Sequence, residues 1–403
     1  MSRIYPFTAL RPSPEAAARV AAVPYDVVNA DEAKSLAAGN PVSFLHVSRP
    51  EIDLPSGTDP HGDAVYAKAI DSFSTLRSTA PLVVESEPSI YVYRLTMGSH
   101  VQAGIAACFS LDEYDRGLIK KHEKTRPDKE DDRTRHMIAI RAQTGPVFLT
   151  YQASPDVDAV VARVVKGAPL FDFVAPDRIR HEIWRVASSE HHHIMSACAA
   201  IPCLYIADGH HRAASAARSR RVLREQRSAS DSSFQECDGV LAVAFPDNQM
   251  HVLPYHRVVR DLHGLSSSDV VSRLSSRVSA TRSGVASPNR KGQVGMYLGG
   301  EWWTLTLTPA ETLDVSWLQE EVLSPLLSIH DVRTDKRIDF VGGIRGSDAL
   351  ERLVDSGEFA VAFSMFPVSV HDLMRIADAG GTMPPKSTWF EPKLRDGLLS
   401  HLI

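Results

Sequence analysis

Alternating apolar and polar positions mark several β-strands in the first half of the chain. The segment SIYVYRL, residues 89–95, alternates and is rich in β-branched and aromatic residues, which predicts a strand. QAGIAACFSL, residues 102–111, is expected to follow as its partner strand. Two short apolar runs, PVFLTY at 146–151 and PCLYIADG at 202–209, predict further buried strands.

Two segments carry helix signals at their ends as well as in their interiors. EDDRTRHMIAIRAQTG, residues 130–145, has acids in its first turn and Gly145 beyond its predicted end. RAASAARSRRVLREQ, residues 212–226, is rich in strong helix formers and has a basic C-terminal half that complements the helix dipole. Because strands and helices alternate in this way, we predict a mixed α/β (α+β) fold.

Changes of composition along the chain indicate three regions. We predict an N-terminal α/β region at 1–100, a core with an insertion at 101–262, and a C-terminal α/β region at 263–403. The serine-rich stretch at 266–293 contains a capped helix and marks the start of the last region.

Composition and charge exclude several classes of protein. The chain has 403 residues, of which 43% are hydrophobic and 23% charged. This composition is typical of globular domains. A formal net charge of −5 argues against a nucleic-acid-binding protein, whose surface carries a positive excess. The four cysteines form no CxxC pair, which argues against structural zinc and favours a reducing compartment. Since no apolar run is long enough for a membrane span and the N-terminus lacks a secretory signal, we expect a cytoplasmic protein.

The stretch LYIADGHHRAAS, residues 204–215, predicts a strand that turns directly into a helix. The first backbone N–H groups of such a helix lack partners within it and can receive an anion. Gly209 lets a phosphate approach the backbone, and Arg212 supplies a fork that fits phosphate oxygens. His210 and His211 add two hydrogen-bond donors to the turn. The carboxylate of Asp208 can cap the helix or hold a metal-bound water. An N-capped helix with surface histidines is the competing interpretation.

A second charged cluster, GLIKKHEKTRPDKEDDR at 117–133, follows one predicted strand and leads into a predicted helix. Taken alone, a charge run of this kind is typical of a solvated face. The order of elements favours a site instead, since a strand, a His-Glu pair and a helix are followed later by a strand, DGHHR and another helix. We therefore predict that Glu123 lies within one substrate's width of the 208–212 turn, because the strands that precede the two segments are neighbours in one sheet.

These motifs resemble those of free serine kinases, which use a ParB/sulfiredoxin-like core. The chain also resembles, over roughly residues 4–400, a bacterial family long described as a domain of unknown function, in which pyrophosphate-dependent L-serine kinases are recognised. The matching pieces occur in one order along the chain: YPFTALRPSPE, VPYDVVN, HEKTRPDKEDDR, HEIWRV, LYIADGHHR, VLPYHRVV, LDVSWLQEEVLSPLL and MPPKSTWFEPKL. The resemblance implies a ParB/sulfiredoxin-like core with additional N-terminal and C-terminal α/β regions.

The same resemblance implies a phosphoryl-transfer site. Glu123 corresponds to the general base that acts on the serine hydroxyl, His122 positions that acid or the substrate, and Asp208 belongs to the catalytic turn. The residues assigned to phosphate are Gly209, His210, His211, Arg212, Lys124, Thr125, Lys129 and Arg133. Mg²⁺ is the expected cofactor and would be carried on the substrate phosphates, without a defined set of protein ligands.

Three further segments are candidates for substrate binding, each with a structural alternative. Tyr25, Asp26 and Asn29 are candidates for the substrate amino group, whereas Tyr25 can instead pack and Asn29 can cap a helix. His256 and Arg257 lie in a strand-like run, where an inward arginine needs either an anionic ligand or a structural ion pair. Lys386 and Ser387 belong either to a loop that closes on the ligand or to a packed C-terminal loop.

The implied activity is transfer of a phosphoryl group from pyrophosphate, ADP or ATP to the hydroxyl of L-serine or a similar hydroxy-amino acid, which gives O-phosphoserine. A non-catalytic phosphate- or nucleotide-binding regulator with the same core is the alternative, and a homodimer is left open. RPDKEDDR departs from the family pattern, in which the lysine stands one place later, so the donor is left open. His210 stands where sulfiredoxins have a reactive cysteine, which excludes sulfinic-acid repair.

Overall fold

The structure is a computed structural model that describes residues 2–79, 82–225, 235–306 and 312–403. The described chain divides into two compact units. Unit 1 contains residues 1–250 and 392–403, and unit 2 contains residues 251–391. Residues 1–100 and most of the predicted core thus fall in the same unit, while the three-region division itself stays a prediction.

The described elements are numbered in chain order. The strands are β1 (Ile4–Tyr5), β2 (Ala9–Pro12), β3 (Leu82–Val84), β4 (Tyr91–Met97), β5 (His100–Ser110), β6 (Ile119–Lys120), β7 (Ala142–Gln143), β8 (Val147–Tyr151), β9 (Phe171–Val174), β10 (Arg180–Arg185), β11 (Leu204–Asp208), β12 (Gly239–Pro246), β13 (His251–Leu253), β14 (Tyr255–Val259), β15 (Ser279–Arg282), β16 (Gln293–Leu298), β17 (Glu301–Thr306), β18 (Ile338–Gly342), β19 (Val361–Met365), β20 (Trp389–Glu391) and β21 (Ser400–Leu402). The helices are α1 (Ala17–Val20), α2 (Ala30–Ala37), α3 (Leu45–Ser48), α4 (Asp63–Thr79), α5 (Leu111–Asp115), α6 (Pro127–Ile140), α7 (Pro155–Val164), α8 (Ser188–Ala199), α9 (His210–Glu225), α10 (Ser267–Ser275), α11 (Asp314–Leu318), α12 (Ser324–Leu327), α13 (Ser347–Asp355) and α14 (Val370–Asp378). The predicted mixed α/β fold is confirmed.

The main sheet of unit 1 has the strand order β6-β11-β8-β12-β5-β4-β10-β9, and β1 pairs with β5. The pairs β6–β11 and β8–β12 are parallel, and the other pairs of this sheet are antiparallel. The predicted partnership of the strands at 89–95 and 102–111 is confirmed, because β4 and β5 form an antiparallel pair. The predicted strands at 146–151 and 202–209 are present as β8 and β11, which are neighbours.

The two helices that lead away from the charged motifs pack on each other. α9 contacts α6 and strands β8 and β12. Its buried small residues, Ala213, Ala216 and Ala217, join the core of the main sheet and let the helix axis lie close to the strands. α6 begins at Pro127, earlier than the predicted start, because proline is well tolerated in the first helical turn. It ends at Ile140, and the C-cap residue Arg141 adopts the left-handed conformation, four residues before Gly145.

A second sheet in unit 1 has the order β3-β2-β21-β7. The last strand, β21, pairs with β2 near the N-terminus and with β7 after α6. The C-terminal residues 392–403 therefore complete unit 1, and they bring their charged side chains to its interior.

Unit 2 contains its own sheet, of order β15-β17-β16-β19-β14-β18, and the short pair β13-β20. Val258, Leu350 and Phe359 belong to its buried core. The predicted capped helix in the serine-rich stretch is α10, whose N-cap Ser266 accepts a hydrogen bond from Asp269 N–H. None of the helices in the described parts of the chain is both long and apolar enough to cross a membrane.

Candidate functional site

A short parallel strand pair joins the two charged motifs. Ile119 and Lys120 of β6 pair with Leu204 and Tyr205 of β11. The chain leaves both strands at the same edge of the sheet, so the segment that begins at residue 121 meets the turn that follows β11. The structure thus brings the two predicted segments together. The strand that leads from the first segment's side to β11 is the two-residue β6, whereas the predicted strand, β5, is separated from β11 by β8 and β12.

Two buried histidines form the contact between the motifs. The rings of His122 and His210 meet edge to face with centroids 4.5 Å apart. The His122 backbone N–H donates to His210 Nε2 at 3.5 Å. Burial lowers the pKa of His122 to about 4, against an opposing hydrogen bond to the Ile206 backbone. Burial, and then His122, lower the pKa of His210 well below its ordinary value. Both imidazoles are therefore neutral at pH 7.

His122 keeps one ring nitrogen unused, since its Nδ1 is buried and has no hydrogen-bond partner. His122 is 2% exposed, so bulk solvent does not reach this atom. A buried polar atom of this kind calls for a partner, which a ligand, an ion or an ordered water can supply.

Glu123 stands beside these histidines and is half-buried. His122, Glu123 and His210 each present one ligand atom, and the three atoms lie within 4.8 Å of one another. Two imidazoles and one carboxylate suit zinc, iron or manganese better than Mg²⁺, which prefers oxygen ligands. The cluster therefore does not fit Mg²⁺ as a resident ion, and Mg²⁺ on substrate phosphates stays a prediction.

Asp208, at the end of β11, is held by two cations. Lys393 Nζ lies 3.2 Å from Asp208 Oδ2, and Arg212 Nη2 lies 3.3 Å from the same oxygen. The Gly209 N–H donates to Asp208 Oδ1 at 3.0 Å. Burial raises the pKa of Asp208, but Lys393 and then Arg212 lower it by more, so the carboxyl stays ionised. Asp208 therefore anchors the turn through an ion network.

Arg212 folds back beneath the turn instead of extending from it. Its Nη1 donates to the Pro146 carbonyl, and its Nη2 lies 3.9 Å from Asp26 Oδ2. A Cβ added to Gly209 would lie 3.0 Å from the Arg212 Cζ and Nε, and Gly209 has φ +92°. Gly209 is thus required by the close approach of the guanidinium as well as by its backbone conformation. The assignment of Arg212 to phosphate stays a prediction.

The first turn of α9 retains the geometry of an anion site. Its helical hydrogen-bond ladder begins where Ala213 N–H donates to the Gly209 carbonyl. The backbone N–H groups of residues 210–212 precede that ladder and carry the positive end of the helix dipole. His211 faces away from His210, because its Nε2 accepts the Arg126 N–H at 3.0 Å. The two adjacent histidines therefore contact different neighbours.

The cations of the first charged segment lie in different environments. Arg133 donates to Asp132, and its guanidinium lies 4.3 Å from the centroid of the Tyr25 ring. Thr125 Oγ1 donates to Glu130. Lys124 is exposed and Lys129 is half-buried. Their assignments to phosphate stay predictions.

Of the N-terminal candidates, Asn29 and Tyr25 make structural contacts, and Asp26 lies near the turn. Asn29 caps α2 in a capping box, with its Oδ1 accepting the Glu32 N–H at 2.9 Å. Tyr25 packs against Arg133, and burial raises its pKa. Asp26 is the member of this group that approaches the turn, through Arg212. The capping alternative thus describes Asn29, and a substrate role for Tyr25 or Asp26 stays a prediction.

The remaining substrate candidates all belong to unit 2. His256 is buried, and its Nδ1 accepts the Met365 N–H at 3.1 Å. Ser387 Oγ donates to the Pro384 carbonyl at 2.6 Å. Arg257 is buried and Lys386 is exposed. Their predicted roles remain untested by these contacts.

Two residues near the C-terminus belong to the site and were missed in the sequence. Lys393 holds Asp208, and Asp396 is 2% exposed, with an Oδ1 that lacks a partner. Burial raises the pKa of Asp396 to about 7; Arg212 opposes the rise and Asp26 adds to it. The KLRDG segment that carries both residues has no local pattern typical of a site. The one available signal is the matched piece MPPKSTWFEPKL, which ends with Lys393 and Leu394 and stops two residues before Asp396.

Asp396 is expected to make folding stability fall as pH rises. Its pKa is about 7 in the folded chain and about 4 when unfolded. The folded state therefore holds the proton more tightly, and this stabilisation is complete below about pH 4 and is lost as pH passes 7. Asp396→Asn stays neutral, so it should be more stable than the parent at pH 8.5 by up to about 4 kcal/mol, with a smaller difference at pH 5. Urea unfolding at the two pH values measures this.

The exposed Asp71→Asn is the matched control for that experiment, because Asp71 is 68% exposed and pairs with Lys68 at the surface. Its effect should be the same at both pH values. An Asp396→Asn difference that does not change between pH 5 and pH 8.5 contradicts a raised pKa.

Comparison with known proteins finds one matching family and several distantly similar structures. The model of a family described as "Protein of unknown function (DUF1015)" matches residues 4–326. Among curated proteins, no significant match is found. Among solved structures, a conserved hypothetical protein from Pyrococcus furiosus is 14% identical with a TM-score of 0.39, and the match covers 74% of this chain and 95% of that chain.

Two further structures show similar levels of likeness. A free serine kinase in complex with AMP is 13% identical with a TM-score of 0.37, covering 73% of this chain and 92% of that chain. SbnI with a C-terminal truncation from Staphylococcus aureus is 14% identical with a TM-score of 0.41, covering 74% of this chain and 87% of that chain. Likeness at this level assigns no activity.

Proposed function

The chain belongs to the DUF1015 family of proteins of unknown function, and we propose that it is a small-molecule kinase that phosphorylates the hydroxyl of L-serine or a similar hydroxy-amino acid. The donor would be pyrophosphate, ADP or ATP, and the product O-phosphoserine. The observation that carries the proposal is the β6–β11 pairing, which sets a carboxylate beside the N-terminus of α9. A base and an anion site that face each other are what transfer of a phosphoryl group to an alcohol requires.

The proposed step uses Glu123 as the base. The carboxylate takes the hydroxyl proton as the alcohol oxygen attacks the terminal phosphorus of the donor. The bond between that phosphorus and its bridging oxygen breaks, so the leaving group is phosphate from pyrophosphate, AMP from ADP or ADP from ATP. The backbone N–H groups of residues 210–212 are oriented to stabilise charge on the transferred group. Mg²⁺ on the donor phosphates would neutralise their remaining charge.

His122 is proposed to position the reacting groups. Its unpartnered Nδ1 and its contact with His210 support a role beside Glu123. A neutral imidazole can donate one hydrogen bond to a phosphoryl oxygen or accept one from the alcohol. The extended ion network of Asp208 with Lys393 and Arg212 supports a rigid turn, which favours a fixed position for the phosphoryl group.

A second candidate function is a phosphate- or nucleotide-binding regulator without turnover. The engagement of Arg212 favours it, because this guanidinium is already bonded to Pro146 and Asp208 and is 7% exposed. Two of its three guanidinium nitrogens are bonded within the protein and its buried Nε has no partner, so an anion would contact mainly the backbone N–H groups of the turn. Ligand binding would then raise the unfolding temperature without product.

A product assay separates the two candidates. The purified chain is incubated with L-serine, Mg²⁺ and, in separate reactions, pyrophosphate, ADP or ATP, and O-phosphoserine is detected by mass spectrometry. The kinase proposal expects product with at least one donor. Thermal stabilisation by all three donors with no product from any of them would favour the regulator.

A further inference from the structure

Arg257 is a buried cation that has no carboxylate partner in the part of the chain that the structure describes. It lies in β14 between β18 and β19 and is 3% exposed. Its Nη1 donates to the Tyr255 carbonyl, and its guanidinium lies 5.5 Å from the centroid of the Phe340 ring. Within the described ranges, Arg257 forms no ion pair. The structural ion pair that the sequence left open is therefore absent from the described residues.

An uncompensated buried charge is unfavourable. Removing a guanidinium from water without an opposite charge costs several kcal/mol, so buried arginines are ordinarily paired. Burial lowers the pKa of Arg257 to about 10, and Tyr255 opposes this shift. The group is nevertheless charged at pH 7. Its position on an interior strand thus indicates a partner that the described residues do not provide.

A second cation borders the same aromatic cluster. Lys386 Nζ lies 5.4 Å from the centroid of the Tyr255 ring, and the Trp389 ring meets Tyr255 edge to face at 5.1 Å. Lys386 has φ +57°, a left-handed conformation that is uncommon outside glycine. Tyr255 and Arg257 are two positions apart on one strand and therefore share a face of the sheet. Two positive side chains thus flank one group of aromatic rings.

We propose that Arg257 and Lys386 form an oxyanion-binding site in unit 2 that takes a phosphate-class ligand. A guanidinium offers paired N–H donors that fit two oxygens of one phosphate, and a neighbouring ammonium matches the second negative charge. Arg257 supplies the buried, oriented contact, and Lys386 supplies an exposed one. The proposal is argued from residues of unit 2 alone, and its test measures phosphate binding without requiring the proposed kinase activity.

The number of bound phosphates tests the proposal. Equilibrium dialysis with radiolabelled inorganic phosphate is done on the full chain and on Arg257→Met. The variant should bind one phosphate fewer than the parent. This difference holds whether or not the turn of α9 also binds phosphate, so failure of the kinase proposal leaves it unchanged. Equal numbers of bound phosphate in the two proteins would overturn the site.

Stability in phosphate-free buffer provides a second measurement. If Arg257 has no carboxylate partner, Arg257→Met should unfold at the same or a higher temperature than the parent. A fall of several degrees would mean that the arginine is a paired structural group, and would overturn the proposal. Lys386→Met changes an exposed side chain and should weaken phosphate binding at this site about tenfold without changing the unfolding temperature.

Competition identifies the class of anion. Pyrophosphate should displace labelled phosphate from the parent at this site, and acetate at the same concentration should not. Displacement by acetate as effective as that by pyrophosphate would identify a carboxylate site and overturn the phosphate assignment.

Discussion

Replacing Glu123 by glutamine is expected to lower the rate of O-phosphoserine formation by about 10²–10⁴-fold, the usual contribution of a general base. The amide keeps the shape of the side chain but cannot take the hydroxyl proton. Donor binding should persist, because the N–H groups at the start of α9 are untouched. Initial rates by mass spectrometry, with donor affinity measured by calorimetry, separate the two effects.

Asp128→Asn is the matched control for this substitution. Asp128 lies in the same charged segment, is 53% exposed and pairs with Arg126 at the surface. Its rate should stay within about twofold of the parent, as expected for the loss of a weak surface pair. A Glu123→Gln rate that also stays within twofold would remove Glu123 from the chemistry.

The second large effect concerns the ion network of the turn. Asp208→Asn leaves Lys393 and Arg212, which are 11% and 8% exposed at their side chains, without their shared carboxylate. Breaking a largely buried ion pair from one side costs about 3–5 kcal/mol, because the two cations lose their shared counter-charge and Arg212 keeps only the longer contact with Asp26. Urea unfolding should show this loss, and product formation should fall with it because the turn is no longer anchored.

A surface pair gives the reference for that measurement. Asp172→Asn removes a carboxylate from the pair with Arg180, whose side chains are 39% and 48% exposed. Pairs of this kind contribute less than about 1 kcal/mol. If Asp208→Asn destabilises no more than Asp172→Asn does, the network does not anchor the turn.

Local patterns predicted the elements that have periodic or capping signals. The β4–β5 pair follows from alternation, and the Asn29 cap follows from the preference of asparagine for that position. β6 was not predicted, because two residues are too few to show a period. Yet β6 is the strand that sets Glu123 beside the turn. The closeness of Glu123 to the turn was therefore predicted, but the strand that brings it there is β6 and not the predicted strand at 102–111.

Long-range contacts account for what the sequence could not show. Lys393 reaches Asp208 across 185 positions because β21 returns the chain to unit 1. The local sequence of the KLRDG segment does not predict this long-range contact. Arg212 has the residue type of a phosphate ligand, but its direction is set by Pro146 and Asp208, which only the folded chain brings near. Spacing and residue type thus found the site, while the roles within it depend on tertiary contacts.

A crystal structure of the chain bound to O-phospho-L-serine tests most directly whether Glu123 and the start of α9 hold one substrate between them. The phosphoryl group is expected on the N–H groups of residues 210–212, with the ester oxygen about 3 Å from the Glu123 carboxylate. Phosphoserine bound elsewhere, with Glu123 turned toward bulk solvent, would contradict the proposed active site.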